Sequence, residues 1–538
     1  MSPLLLALAF VAQDPKPAEA PIPDAVPVRD RWKIPFPDYA LNEPGRIYDP
    51  YRQNPLKGDY PILGQNTFVS ITGRSDTTVE RREVPTPSGV SSASAGSEDF
   101  FRSGEQFFLN QDFAATLELF HGETSFRPRD WELRVTGVYN STYLDVRETN
   151  VVNPNPADGV TRPDRHLALQ EALAEVHLLD VSANYDFVSL KAGIQPFLSD
   201  FRGFLFADTN LGARLFGTLA NNQIQWNLAV FEMLEKDTNS GLNTHHLREQ
   251  QVWIANVYVQ DFLRLGYTAQ LSVHASRDDG ETHYDTNEVL VRPALLGTIR
   301  EHDVDPLYLG WAGDGHIGRL NLTHALYAAT GRDEFNPIAG QETDIDAYLF
   351  ALELSYDVDW ARPRASILWA SGDDEPADSV ASGFDAILES PNFAGGPFSY
   401  WNRQTIRLQG VNLVNRLGQL PSLRTSKPQG QANFVNPGLL LVNAGLDLEL
   451  LPELKVLLNA NWLRFHETEV LETYLLQADI HPSLGVDLSL GLVGRPLLNN
   501  NVIVSAGLAF FLPGAGYEDV YGEDGSLYSA FLQLTLTY

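Results

Sequence analysis

From residue 67 to the end, the chain repeats one pattern: apolar and polar positions alternate for ten to fifteen residues, then break at a turn. In "WELRVTGVY", Trp131, Leu133, Val135 and Tyr139 share one face, and Glu132, Arg134, Thr136 and Asn140 share the other, with Val138 the exception. "LGYTAQLSVH" sets Leu265, Tyr267, Ala269, Leu271 and Val273 against Thr268, Gln270, Ser272 and His274. "YLFALELSY", "GLLLVNAGLDLEL", "SLGVDLSLGL" and "NVIVSAGLAFF" follow the same rule. Period-2 alternation predicts strands with one apolar and one wettable face.

A soluble sandwich would also alternate, but three features favour a barrel in a membrane. The segments exceed the usual five or six residues of soluble strands. Short turns ("ANNQ", "VQDF", "LLPE") alternate with long polar loops, the pattern of outer-membrane barrels. Outward aromatics fall at segment ends. Tyr528 and Tyr538 point the same way ten residues apart. At about 3.3 Å per residue and a tilt of about 40°, that spans roughly 25 Å of height, the thickness of the lipid-facing band. Tyr348 and Tyr356 bracket another strand in the same way.

Both chain ends on the periplasmic side require an even strand count. Nineteen segments alternate at first sight, and the weakest, 470–480, is read as loop. The expectation is all-β, a transmembrane antiparallel barrel of about 18 strands with short periplasmic turns and long extracellular loops. The strands are placed near 67–84, 106–120, 130–146, 168–180, 185–196, 212–220, 223–234, 250–261, 263–276, 305–313, 316–331, 344–358, 361–371, 437–450, 453–466, 484–494, 501–512 and 526–538. Unpaired backbone is too costly in lipid, so the sheet must close. A barrel of this size encloses an aqueous lumen.

Residues 14–66 are rich in Pro, which blocks helix and sheet and favours extended chain. Their aromatics, Trp32, Phe36, Tyr39, Tyr48, Tyr51 and Tyr60, suit an arm that packs on something. It lies in the periplasm or plugs the barrel from below. Residues 1–13 read as a signal peptide: Leu4 to Ala12 is an apolar run of the right length, though the basic leader is missing.

The chain has 538 residues, no Cys and a net charge of −31. That charge argues against a nucleic-acid partner. The absence of Cys removes disulfides and thiol chemistry. No hydrolase, zinc-protease or phosphate-loop motif occurs, so no enzyme and no cofactor is expected. Acidic runs such as Asp278-Asp279-Gly280-Glu281, Glu301-His302-Asp303-Val304-Asp305 and Asp373-Asp374-Glu375 lack EF-hand spacing and read as solvated loops rather than metal sites.

Alternation assigns the lumenal charges. The basic set is Arg134, Lys191, Arg214, Arg319, Arg364 and Lys455. The acidic set is Asp112, Glu118, Glu132, Glu171, Glu175, Glu353, Asp447, Glu449 and Asp487. The balance is mixed and leans acidic. Lys191 and Arg214 fall on neighbouring strands, with Arg202 in the loop between them. They form either a cationic patch for an anionic solute or ordinary lumenal pairs such as Lys191 with Glu175. The longest loop, 372–436, carries Arg403, Arg407, Arg416 and Arg424. It is either a constriction inside the lumen or a surface cap.

Several stretches resemble the alginate-export family of outer-membrane barrels: "QEALAEVHLLD…FVSLKAGIQPFLSDFRGFLFADTNLGARLFG", "ASGDDEPADS…GFDAI" and the closing "LGVDLSLGLVGRPLLNNNVIVSAGLAFFLPG…YSAFLQLTLTY". The resemblance covers roughly residues 165–538 and implies an 18-stranded barrel. The family's basic, polyuronate-conducting pore is not matched by the mixed charges here. The expected function is a porin-like channel for polar solutes in the outer membrane of a Gram-negative-type bacterium. The alternative is a barrel that anchors or sheathes a partner through its arm. Expected partners are outer-membrane lipid and, through the final strand ending at Tyr538, barrel-assembly machinery.

Overall fold

The computed structural model describes residues 38–41, 45–46, 49, 52–84, 104–122, 127–147, 151–184, 186–404, 421, 423–522 and 525–538. Eighteen long strands run in chain order. The first six are β1 (Thr67–Glu83), β2 (Glu105–His121), β3 (Trp131–Val146), β4 (Thr161–Asp180), β5 (Phe187–Leu198) and β6 (Ala207–Leu219). The next six are β7 (Ile224–Lys236), β8 (Asn243–Val259), β9 (Tyr267–Asp278), β10 (Val304–Ile317), β11 (Leu320–Asn336) and β12 (Gln341–Tyr356). The last six are β13 (Ala361–Ala370), β14 (Leu439–Leu451), β15 (Leu454–Arg464), β16 (Ser483–Gly494), β17 (Val502–Pro513) and β18 (Leu527–Thr537). Each pairs antiparallel with its neighbours in sequence, and β18 pairs with β1 from Arg74↔Thr537 to Arg82↔Ser529, closing the barrel. The strand pattern expected from alternation is therefore present, and residues 470–480 contain the short helix Glu469–Leu475 rather than a strand.

Two strands start earlier than expected: β4 begins at Thr161 and β8 at Asn243. Their first turns, "TRPDRH" and "NTHHLREQ", are polar on both faces. They project beyond the lipid, where no apolar face is required, so alternation does not reveal them. The turn between β10 and β11 also sits later than expected. Ile317 pairs with Leu320, leaving Gly318 and Arg319 as a two-residue turn. Gly318 adopts φ +64, the left-handed conformation such hairpins need at their first central position.

Outward positions such as Leu133, Val135, Leu271, Leu309 and Trp311 are exposed. A continuous apolar outer wall on a closed sheet is what lipid covers, which makes this an outer-membrane barrel. Tyr348, Tyr356 and Tyr538 are exposed on that wall and Tyr528 is half-buried, so the outer faces of β12 and β18 each carry two of these aromatics.

The main apolar core lies inside the barrel. It joins inward residues of β7 to β14, among them Phe231, Tyr308, Ile345 and Leu349, to Phe204, Phe206, Phe384, Phe393, Trp401 and Phe434 from two loops. Each such side chain contributes about 1.5–3 kcal/mol on burial, so these loops are packed, not loosely hung.

Part of the arm is visible at the lower rim. Lys57 Nζ donates to the Ile71 carbonyl at 2.7 Å and lies 3.8 Å over the Tyr538 ring. Tyr39 packs edge-on against Phe68 at 5.0 Å. Residues 1–37, including the expected signal peptide, lie outside the described residues.

Candidate functional site

Two loops turn inward and meet in the lumen. One follows β5 (residues 199–206), the other follows β13 (residues 371–438). They join by backbone hydrogen bonds: Leu388 N–H to Leu205 O at 3.2 Å, Ser390 N–H to Gly203 O at 3.0 Å, Asn392 N–H to Arg202 O at 3.0 Å, and Ala207 N–H to Leu388 O at 2.9 Å. Gly203 permits this approach. It adopts φ +81, and a Cβ there would meet the Ser390 carbonyl oxygen at 2.8 Å.

The long loop crosses to the far wall. Arg403 Nη2 bonds Glu80 of β1 at 2.6 Å and its Nε bonds the same carboxylate oxygen at 3.0 Å. Gln404 Nε2 donates to Glu80 at 2.6 Å, and Arg82 donates to Gln404 Oε1 at 2.6 Å. The Arg403 guanidinium stacks 3.6 Å above Phe531. Trp401 N–H donates to Asp487 at 3.2 Å. On its other limb, Arg424 and Lys427 both bond the fully buried Asp385, and Lys427 lies 2.8 Å from Glu389. The described parts of this loop thus pack inside the barrel against its wall.

Two cavities flank the paired loops. The larger, about 820 Å³, opens toward the short turns. The smaller, about 550 Å³, lies toward the long loops between the β5–β7 wall and residues 388–390, with Lys236 and Asp208 in its lining. Ser390 lines both and is exposed. The charged side chains of the larger cavity are Arg202, Arg362, Arg364, Arg403, Lys455 and Arg495 against Asp314, Glu353 and Asp447. Arg202 lies 3.3 Å from Glu353 and 3.7 Å from Asp314, and Arg364 lies 3.8 Å from Glu353 and 3.5 Å from Asp447. Lys455 reaches Asp447 at 3.1 Å.

The residues expected in the lumen divide into groups. Arg134 sits in a carboxylate cluster, 2.6 Å from Glu118, 2.9 Å from Glu132 and 3.8 Å from Glu171. Asp112 accepts from Asn140 at 2.6 Å. Lys191 pairs with Glu175 at 2.7 Å. Arg214, directly opposite Lys191, donates to Asn227 at 2.7 Å and stacks on Phe216. Arg202 points across the lumen to β11 and β12, so these three cations do not form one patch. Arg364, Glu353, Asp447 and Lys455 line the larger cavity, and Glu449 stands at its mouth, 3.7 Å from Lys455. Asp487 is fully buried and holds Trp401 and Asn461 rather than facing water.

Arg319 is a correction. It occupies the Gly318–Arg319 turn, 61% exposed and 3.8 Å from Asp359, outside the lumen. Arg407 and Arg416 lie outside the described residues.

The sequence reading missed Glu80 and Arg82, although both fall on the inward face of β1 by simple alternation. It also missed Arg129, which bonds Glu132 at 2.6 Å. An aqueous lumen was expected, with no wall strand singled out as covered by a loop. The inward face of β12, Ile345, Ala347, Leu349 and Ala351, is buried against the loops.

No family model and no curated protein matches this chain. Solved structures do. OccK9 (OpdG) of Pseudomonas aeruginosa is 12% identical over 87% of this chain and 98% of its own, with a TM-score of 0.48. OccK2 (OpdF) of the same organism, solved in complex with glucuronate, is 12% identical over 87% and 97%, with a TM-score of 0.47. OccAB4 of Acinetobacter baumannii is 11% identical over 88% and 98%, with a TM-score of 0.46. The resemblance to alginate-export barrels is corrected accordingly: the structural neighbours of this eighteen-stranded outer-membrane barrel are Occ proteins.

Proposed function

We propose that this barrel is a passive outer-membrane channel for small polar solutes, and that its larger cavity favours anions. The observation that carries the reading is local. In a chain of net charge −31, the cavity lining holds six basic side chains and three carboxylates; with Arg403 and Arg362 paired to Glu80 and Asp357 outside it, Arg202, Arg364, Lys455 and Arg495 stand against Asp314, Glu353 and Asp447. Arg202 and Arg364 contact those carboxylates at 3.3–3.8 Å, longer than the ~2.7–2.9 Å of a tight charged hydrogen bond. Arg202 also donates to the Asn392 carbonyl and the Thr323 hydroxyl, and Arg364 to Asn459, so both guanidinium groups are held in place in the cavity lining. Two unit charges 4 Å apart interact by about 1 kcal/mol in bulk water and several times that near protein. A small excess of cations in a narrow cavity therefore biases selectivity.

The acidic balance read from alternation counted every lumenal wall. Much of that acid is consumed by Arg134, Arg129 and Lys191, or buried as Asp487 is. The cavity itself is what a solute meets.

The test is the reversal potential of the purified protein in a planar bilayer under a salt gradient. Anion preference is expected. Arg364→Gln and Lys455→Gln should each reduce it, and Arg319→Gln, at the turn, should leave it unchanged. Absence of current, or cation preference, refutes the reading.

A further inference from the structure

The loop after β5 is fixed to strands β8, β9 and β11 by two consecutive residues. The Ser199 carbonyl accepts from Gln270 at 2.5 Å, and from Asn256 and Tyr258 at 3.2 Å each. Asp200, 3% exposed, begins the turn. One of its oxygens accepts from the N–H of Arg202 at 2.8 Å and of Gly203 at 2.5 Å. The other accepts from the N–H of Phe204 at 3.0 Å and of Leu205 at 3.3 Å, and from the Tyr327 hydroxyl at 2.8 Å.

One carboxylate thus cages four successive backbone N–H groups and ties them to β11. Bonds to a charged acceptor are roughly twice as strong as neutral ones, so the shape of this turn depends on Asp200. The turn has two outputs. Its carbonyls, those of Arg202, Gly203 and Leu205, receive the N–H groups of residues 388–392. Its one basic side chain, Arg202, stands in the larger cavity with Nη2 2.8 Å from Thr323 Oγ1. Asp200 does not line either cavity, so any effect it has on solutes passes through Arg202 and the paired loops.

The geometry points to Asp200 as a positioning residue that holds Arg202 in the path as its specificity-determining charge; this rests on the channel reading above.

The experiment compares Asp200→Asn, Arg202→Gln and the double variant in the full-length protein. Asp200→Asn keeps the volume but turns an acceptor into a donor facing N–H groups. Its reversal potential is expected to move toward zero as far as that of Arg202→Gln, with no further shift in the double variant. Amide hydrogen exchange at 203–205 is expected to accelerate roughly tenfold or more in Asp200→Asn, as for loss of one or two hydrogen bonds, and to stay slow in Arg202→Gln. Additive shifts, or an unchanged potential in Asp200→Asn, overturn the proposal. Should Asp200→Asn fail to assemble, Tyr327→Phe removes a single bond of the cage and is expected to give a smaller shift of the same sign. No shift there overturns it equally. Absence of current in every protein defeats the channel reading. Exchange then judges the cage alone, and unaltered protection at 203–205 in Asp200→Asn refutes it.

Discussion

Glu80 is the far anchor of the long loop, and neutralising it should loosen the loop without opening the barrel. Glu80 is 1% exposed and Arg403 11%, so the pair is dry. Removing one partner of a buried pair costs about 3–5 kcal/mol, because the other charge is left uncompensated. Here the stranded charges are two, since Arg82 is fully buried beside the same carboxylate. The stacking of Arg403 on Phe531 survives the change and is worth about 0.5–2 kcal/mol. Taking about 3 kcal/mol at the low end, Glu80→Gln should raise the undocked population of residues 400–404 by on the order of 10²-fold. Single-channel recording reads this directly as excursions to a higher conductance that the unaltered protein makes rarely. Arg403→Gln should give the same excursions, and the double variant no more than either single one, because both act on one contact. If Glu80→Gln yields a conductance distribution indistinguishable from the unaltered protein, residues 400–404 do not limit the path.

Two further outcomes are expected. Burial, with the carboxylates of Asp378 and Asp374 nearby, pushes the Asp373 carboxyl up to about 7. A folded-state value above the ordinary one means that the protonated form is preferred. Its stabilising contribution is complete below about pH 4 and is lost as pH rises through about 7. Asp373 N–H bonds Asn436 O at 3.0 Å across the loop base. Exchange there, corrected for intrinsic rate, should quicken from pH 6 to pH 8, and Asp373→Asn should abolish the change. On the outer wall, Leu271→Arg places a charge where Leu271 is 55% exposed to lipid. It should lower barrel stability by about 2–4 kcal/mol, read from denaturant unfolding in lipid vesicles.

The strands were legible because lipid imposes a rule on every outward position, and a rule applied eighteen times shows in the sequence. Tyr528 to Tyr538 displays it without exception. Where lipid ends, the rule ends, which is why the first turns of β4 and β8 were read as loop and why Arg319 was assigned to a wall. Facing was also legible: Arg134, Lys191, Glu353 and Asp447 all point inward as alternation requires. What each faces across the lumen was not. Arg202 pairs with Glu353, 151 positions away in sequence, and nothing local to either residue encodes that meeting.

One signal of the inner packing was nonetheless present. A strand between lipid and water alternates, whereas a strand between lipid and a packed loop is apolar on both faces. In β12, outward Tyr348, Phe350 and Leu352 interleave with inward Ile345, Ala347, Leu349 and Ala351. In β14, "LLLV" is apolar throughout, and inward Leu439 and Leu441 are fully buried. By contrast β1 and β3 keep polar inward positions, Asp76, Glu80 and Arg82 in the one, Glu132, Arg134 and Asn140 in the other. Loss of alternation inside a barrel strand therefore marks where a loop docks through apolar packing, whereas on β1 the long loop is held by the polar side chains of Glu80 and Arg82. The matching apolar runs, "FRGFLF" at 201–206 and "FDAIL" at 384–388, occur in segments long and polar enough to pass as extracellular. Each run is too apolar to face water and too short to cross lipid. The remaining place for both is against each other and against the wall strands that lack a polar inner face, which is where the structure puts them.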